Sequence, residues 1–212
     1  MPSNPILNQR VWVFDFDGTL VDSMGTLTKL GGQVLAQFYG VTPTKGEALY
    51  RGTSGLPFAQ QVEKLFPAHA NNAAAVETFE GFKHDYHAWA QPFPDSLDTL
   101  VTLKRRGAFL AISSNNFETI VARTVAALCL PVDLVCGWHD GHGKGAAHFD
   151  RIRHAAECTN PDMIFVGDSL HDGVIAAEHA IHFAGRSGTF TADAFTARFP
   201  GIRVVPSLME LV

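Results

Sequence analysis

Six short apolar runs, RVWVF, AFLAIS, DLVCG, MIFVG, HFAG and IRVV, recur along the chain, and most intervals between them carry helical patterning. Leu97, Leu100 and Val101, then Ile120, Val121, Val125 and Leu128, then Phe149, Ile152 and Ala156 return at helical spacing, with Gly107 and Pro131 marking two of the helix ends. Runs that are apolar throughout, rather than at every second residue, belong to strands covered on both faces, and strands separated by helices pair in parallel. The pattern predicts an α/β fold with a doubly wound parallel sheet.

The interval from about Met24 to Gln91 breaks the alternation: it has helical periodicity and no strand. Met24, Leu27, Leu30, Val34 and Phe38 form one stripe ending at Gly40, and Phe58, Val62 and Leu65 a second. Ala75, Phe79, Phe82, Tyr86 and Trp89 form a third, whose aromatics read as the core of the insertion itself. QPFPD, with two prolines that favour extended chain, is the expected return linker. The 212 residues thus divide into an α/β core domain, 1–22 and 92–212, and an inserted helical domain, 23–91.

The first run ends in DFDGTLVDS, placing Asp15 and Asp17 two residues apart at the end of a buried strand. Ligands of open α/β sheets bind outside the carboxyl ends of the strands. The other runs bring Ser113, Ser114 and Asn115, then Asp168 with Asp172 four residues on, to the same edge. Two ionised carboxylates about 4 Å apart repel by roughly 1 kcal/mol in bulk water and about 4 kcal/mol at an effective dielectric of 20. Gathering Asp15, Asp17 and Asp168 therefore calls for a cation, a raised pKa, or both. Oxygen-only ligands suit Mg²⁺, and Lys144 adds positive charge at the same edge.

DFDGTLVDS, AISSNN, Lys144 and VGDSLHD, in that order, resemble the four-motif signature of the haloacid dehalogenase superfamily. The helical insertion after the first motif resembles the cap of its phosphatase-like branch, which holds phosphoglycolate phosphatases and beta-phosphoglucomutases. The resemblance implies a Rossmann-like core with a helical cap, and a Mg²⁺-dependent phosphatase acting on a small phosphorylated metabolite through an aspartyl-phosphate. By it Asp15 is the nucleophile, Asp17 the general acid/base, and Ser114 and Lys144, with Asn115, the phosphate-binding group. Asp168 is a metal ligand supported by Asp172, within a metal set of Asp15, Asp17, Asp168 and Asp172. The loop YRGTSGLP resembles the cap loop that closes over substrate, making Arg51 and Thr53 candidate specificity contacts.

The chemistry fits these residue types. A carboxylate attacks phosphorus without first losing a proton, and a second carboxyl group can protonate the leaving alkoxide and then take a proton from water. Two features leave choices open: Ser113 competes with Ser114, and Lys144 is followed by glycine where many relatives have proline, so its reach is not fixed. An aspartate two positions after the nucleophile argues against dehalogenation and carbon–phosphorus cleavage. A sugar phosphomutase of the same fold, and a non-catalytic binding or regulatory protein, are the alternatives.

A net charge of −5 and the lack of a basic run argue against nucleic acid or an anionic membrane as partner. Cys129, Cys136 and Cys158 form no C-x-x-C pair or even set and read as reduced core residues, which favours the cytoplasm. The N-terminal MPSNPILNQR lacks the pattern of a secretory leader. The pairs His139/His142 and His84/His87 lack a third ligand and are assigned no metal role. Substrate identity and oligomeric state are not encoded legibly.

Overall fold

The six apolar runs are six strands of one parallel sheet in the order β3-β2-β1-β4-β5-β6. The computed structural model describes residues 9–212, except the side chains of His84 and His87. The N-terminal residues read above for a leader, and that histidine pair, therefore lie outside the described part. The strands are β1 Val11–Phe14, β2 Phe109–Phe117, β3 Leu134–Trp138, β4 Met163–Gly167, β5 His182–Arg186 and β6 Arg203–Val205. Trp12 and Phe14 face one side of the sheet with Leu110, Ile112, Ile164 and Val166, while Val11 and Val13 face the other with Phe149, Ile152 and Phe165. Both faces are buried, which is why β1 has no polar alternation. β1 lies between β2 and β4, so the strand order reverses there and a crevice opens at the carboxyl ends of β1 and β4.

Helices α1 Met24–Tyr39, α2 Pro43–Gly52, α3 Phe58–Leu65 and α4 Asn72–Phe82 form the insertion after β1. α1 ends where Gly40 adopts a left-handed conformation, and α2 starts with the Thr42 side chain capping Lys45 N and Pro43 at the first helical position. The insertion has its own core of Leu27, Val34, Leu35, Tyr50, Phe58, Val62, Ala75 and Phe79. The third stripe does not continue as one helix. α4 stops at Phe82, residues 83–85 form a 3₁₀ turn, and α5 Tyr86–Trp89 follows. The added turn changes the facing: Phe82 is 46% exposed, while Tyr86 is fully buried among the sheet-face residues Phe16, Leu20 and Leu100. Tyr86 thus belongs to the core domain's packing, contrary to the expectation from spacing.

The chain leaves and re-enters the sheet region on adjacent limbs, with Asp22 N donating to Gln91 O at 2.8 Å and Val21 bridging Pro92. The remaining helices, α6 Ser96–Arg105, α7 Glu118–Ala127, α8 Ala146–Ala156, α9 Leu170–Glu178 and α10 Ala192–Arg198, connect the later strands. The three cysteines are free; only Cys136 is buried, whereas Cys129 is exposed rather than in the core. Among the described residues no helix is long and apolar enough to cross a membrane.

Candidate active site

The turn after β1 sets the site. Asp15 N still donates to Val166 O of β4 at 2.8 Å, then Leu20 N and Val21 N both return to Phe16 O at 3.0 Å. Gly18 in this turn has φ +81, and a Cβ there would run into the Asp168 carboxyl group, so two independent constraints demand glycine. Asp168 follows β4 and accepts from the Thr189 hydroxyl. Asp172 sits in the first turn of α9 in a capping box, with Ser169 Oγ donating to its Oδ2 at 2.7 Å and Asp172 N donating back to Ser169 Oγ at 3.1 Å. Its other oxygen accepts from Lys144 Nζ at 2.8 Å. The same ammonium lies 2.6 Å from Asp15 Oδ1, with the lysine side chain 3% exposed. Lys144 therefore reaches Asp15 with Gly145, at φ 129, preceding α8.

One oxygen from each of Asp15, Asp168 and Asp172 lies within 4.8 Å of the others, all three buried. Burial, Asp172 and Asp17 push the Asp15 carboxyl up to about 6 against the pull of Lys144. Burial, then Asp15 and Asp172, raise Asp168 well above the carboxylate range. For Lys144, burial opposes the charge, but Asp15 and Asp172 outweigh it and hold the ammonium above its ordinary value. This donor set is oxygen-only and carries more negative charge than one lysine balances, so it fits a hard divalent cation such as Mg²⁺.

Asp17 stands apart from that trio. Its Oδ1 accepts from Ser23 Oγ at 2.5 Å and from the Tyr86 hydroxyl, and its Oδ2 from Asn116 Nδ2 at 3.3 Å. Burial, with the Asp17 charge adding to it, raises the Tyr86 phenol well above its ordinary value, so the hydroxyl is a donor.

His148 distinguishes the surroundings of the two serines. Its Nε2 lies 3.1 Å from Gly137 O, which can only accept, so the proton is on Nε2 and Nδ1 accepts from Ser113 Oγ at 2.9 Å. Ser113 is thus occupied behind the strand, while Ser114 lines the cavity and accepts from Asn116 N at 3.1 Å. Asn115 donates to Gly55 O of the insertion at 2.8 Å and accepts from Lys144 N at 2.9 Å, joining the insertion loop to the start of α8. Gly55 itself, at φ +95, packs so closely on Ser169 and His171 that a side chain would collide with both.

A cavity of about 60 Å³ lies among these groups, roofed by Leu27, Tyr50, Ser54, Phe58, Gln61 and Lys83 of the insertion and floored by Asp15, Asp17, Ser114, Asn115, Lys144 and Asp168. That is room for a few waters or one small anion. Arg51 is exposed and lines a second, adjoining cavity with Asp22, Arg186 and Thr189. Thr53 is buried and bonds within the insertion, to Leu49 O and Gln61 Oε1 at 2.9 Å each. Lys83, 7% exposed and paired with Glu80 at 2.6 Å, is the insertion's cation in the first cavity. Its sequence signal is slight: a lysine directly following the Phe79–Phe82 stripe.

Burial pushes His148 down to about 4, from an ordinary 6.5. The unfolded chain then binds the extra proton between those values, so this group's stabilisation is complete above pH 6.5 and is lost as pH falls towards 4, by about 3 kcal/mol in total. Asp15 and Asp168, raised in the fold, pull the other way. The decisive quantity is therefore the difference between wild type and His148→Gln in urea melts at pH 7, 5.5 and 4.5: the gap should narrow as pH falls. A constant gap would show that no neutral imidazole is being held there.

The parallel sheet, the acidic cluster at its switch point and the helical insertion after β1 define a class of hydrolase, and residues 12–185 match the family model for haloacid dehalogenase-like hydrolases. The chain belongs to that family. It is 31% identical over 184 residues to phosphoglycolate phosphatase 1 of Pseudomonas aeruginosa, covering 81% of this chain and 66% of that one. It is 29% identical over 180 residues to a phosphoglycolate phosphatase of Neisseria meningitidis, covering 79% and 75%. The chain thus spans about two thirds of the length of the Pseudomonas relative, 66%. A solved haloacid dehalogenase-like family hydrolase from Streptococcus pneumoniae shares the fold, with a TM-score of 0.80 at 20% identity over 96% of this chain and 97% of that one.

Proposed function

We propose that this chain is a Mg²⁺-dependent phosphatase that hydrolyses a small phosphorylated metabolite through an aspartyl-phosphate on Asp15, with residues 23–91 acting as its cap. The observation that carries the reading is the Asp15 carboxylate, bonded to Lys144 and opening into the cavity beside Asp168. Asp15, Asp168 and Asp172 suit the cation, which when bound supplies charge screening for the phosphoryl oxygens. An Asp15 oxygen attacks phosphorus and the ester P–O bond breaks, while the Asp17 carboxyl gives its proton to the leaving alkoxide. Asp17, now a carboxylate, then takes a proton from the water that attacks the phosphorus of the aspartyl-phosphate. Inorganic phosphate departs and Asp15 is restored. Lys144 has a third N–H beyond those facing Asp15 and Asp172, and this one, with Ser114, orients the phosphoryl group. Asp17 is read as the proton carrier rather than a metal ligand because its carboxylate is turned to Ser23, Tyr86 and Asn116.

The size of the cavity favours a short substrate, and the two curated relatives are phosphoglycolate phosphatases, so the class proposed is a phosphorylated short carboxylic acid. The reading is tested by measuring phosphate release across a panel of phosphate monoesters with Mg²⁺ and with EDTA. Activity that survives EDTA would remove the metal from it, and isomerised ester without released phosphate would favour a mutase.

Lys83 supplies the charge to meet the substrate's carboxylate. Lys83→Met should lower kcat/KM for 2-phosphoglycolate by ~10-fold or more, the size of one charge-assisted contact, with a much smaller change for p-nitrophenyl phosphate. Arg51→Ala is the comparison. A selective loss there, with none at Lys83, would move the specificity contact to Arg51.

A further inference from the structure

We propose that Tyr86 is a positioning residue for Asp17: its hydroxyl, carried on the return limb of the helical insertion, fixes the carboxyl group that handles the leaving-group proton. This rests on the role given to Asp17 above. Asp17 Oδ1 accepts two hydroxyl donors, Ser23 Oγ at 2.5 Å from the limb that leaves the sheet and Tyr86 from the limb that returns to it. Asn116, at the end of β2, donates to Oδ2 at 3.3 Å. Three chain segments therefore converge on one carboxyl group, two of them the limbs that attach the insertion.

The Tyr86 ring is fully buried, 6.1 Å from the Phe16 ring and 4.7 Å from the Trp89 ring, so the hydroxyl cannot swing away without disrupting the packing under β1. Two hydroxyl donors occupy Oδ1, so in the proposed step the proton passed to the leaving group is carried on Oδ2. In the transfer, the Oδ2–H bond breaks as the alkoxide O–H bond forms and the ester P–O bond breaks. Tyr86 keeps its own proton throughout. A buried tyrosine in this place also explains why the helical stripe of the insertion breaks at residues 83–85: a continuous helix would keep Tyr86 with Phe79 and away from Asp17.

The experiment uses leaving groups of different basicity. Tyr86→Phe keeps the ring, so the melting temperature should change little, and kcat/KM is measured with Mg²⁺ for an alkyl phosphate and for p-nitrophenyl phosphate. The alkoxide needs a proton and p-nitrophenolate does not. The expected result is a loss of ~10-fold or more on the alkyl ester with a markedly smaller loss on the aryl ester. Asp17→Asn should give the same pattern more strongly. Equal losses on both esters, or no loss on either, would overturn the positioning role and leave Tyr86 a packing residue. If Asp17→Asn itself shows no leaving-group dependence, it is the role of Asp17 that fails, and the inference falls with it.

Discussion

Asp15→Asn is expected to abolish turnover, by at least ~10³-fold in kcat, while leaving the fold in place. The amide oxygen carries no full negative charge and cannot form the acyl phosphate usefully, so the first bond-making step is lost rather than slowed by misalignment. The fold tolerates the change because asparagine has nearly the same shape and because Asp15 is one of three crowded buried carboxylates. Its removal relieves repulsion with Asp168 and Asp172, and Lys144 keeps Asp172 as its partner at 2.8 Å. Thermal melts should therefore show a midpoint close to wild type. Phosphate release near the wild-type rate from a correctly folded Asp15→Asn variant would end the aspartyl-phosphate reading.

Lys144→Met should damage both chemistry and stability. Methionine fills the volume of the lysine stem but removes the ammonium that lies 2.6 Å from Asp15 and 2.8 Å from Asp172 in a fully buried position. Losing one partner of a buried ion pair costs about 3 to 5 kcal/mol, because the remaining charges are left uncompensated. Phosphoryl transfer loses a preorganised positive charge, worth ~10² to 10³ in kcat. The stability deficit should depend on pH in a definite direction. Lys144 pulls the raised Asp15 carboxyl down, so without it that carboxyl rises further above its unfolded value and the folded state binds more protons. Stability then increases as pH falls from 8 towards 5. Melts at pH 8 and pH 5.5, each compared with wild type, measure this. A variant as stable as wild type at pH 8 would show that Lys144 does not hold the carboxylates together.

The sequence determined the sheet and the contents of its edge. A strand buried on both faces must be apolar at every position, so β1 and β4 were visible as uninterrupted runs, and shorter apolar stretches marked the other strands. Residues at the ends of those runs had to meet at one edge, which put Asp15 and Asp168 together before any contact was known.

Tertiary structure decided what each polar group touches. Ser113 and Ser114 are neighbours of the same type on β2, and only the buried His148, on α8, engages one of them and leaves the other facing the cavity. Arg51 and Lys83 are both insertion cations; which one enters the first cavity depends on how α2 and the 3₁₀ turn after α4 pack, and helical periodicity is silent on that. Tyr86 shows the limit most clearly. Its spacing from Phe79 and Phe82 is helical, yet one 3₁₀ turn at residues 83–85 moves it from the insertion's core to the sheet and sets its hydroxyl on Asp17. Spacing encodes a face only while the helix continues. Where it stops, and what lies across from it, is set by packing between segments far apart in the chain.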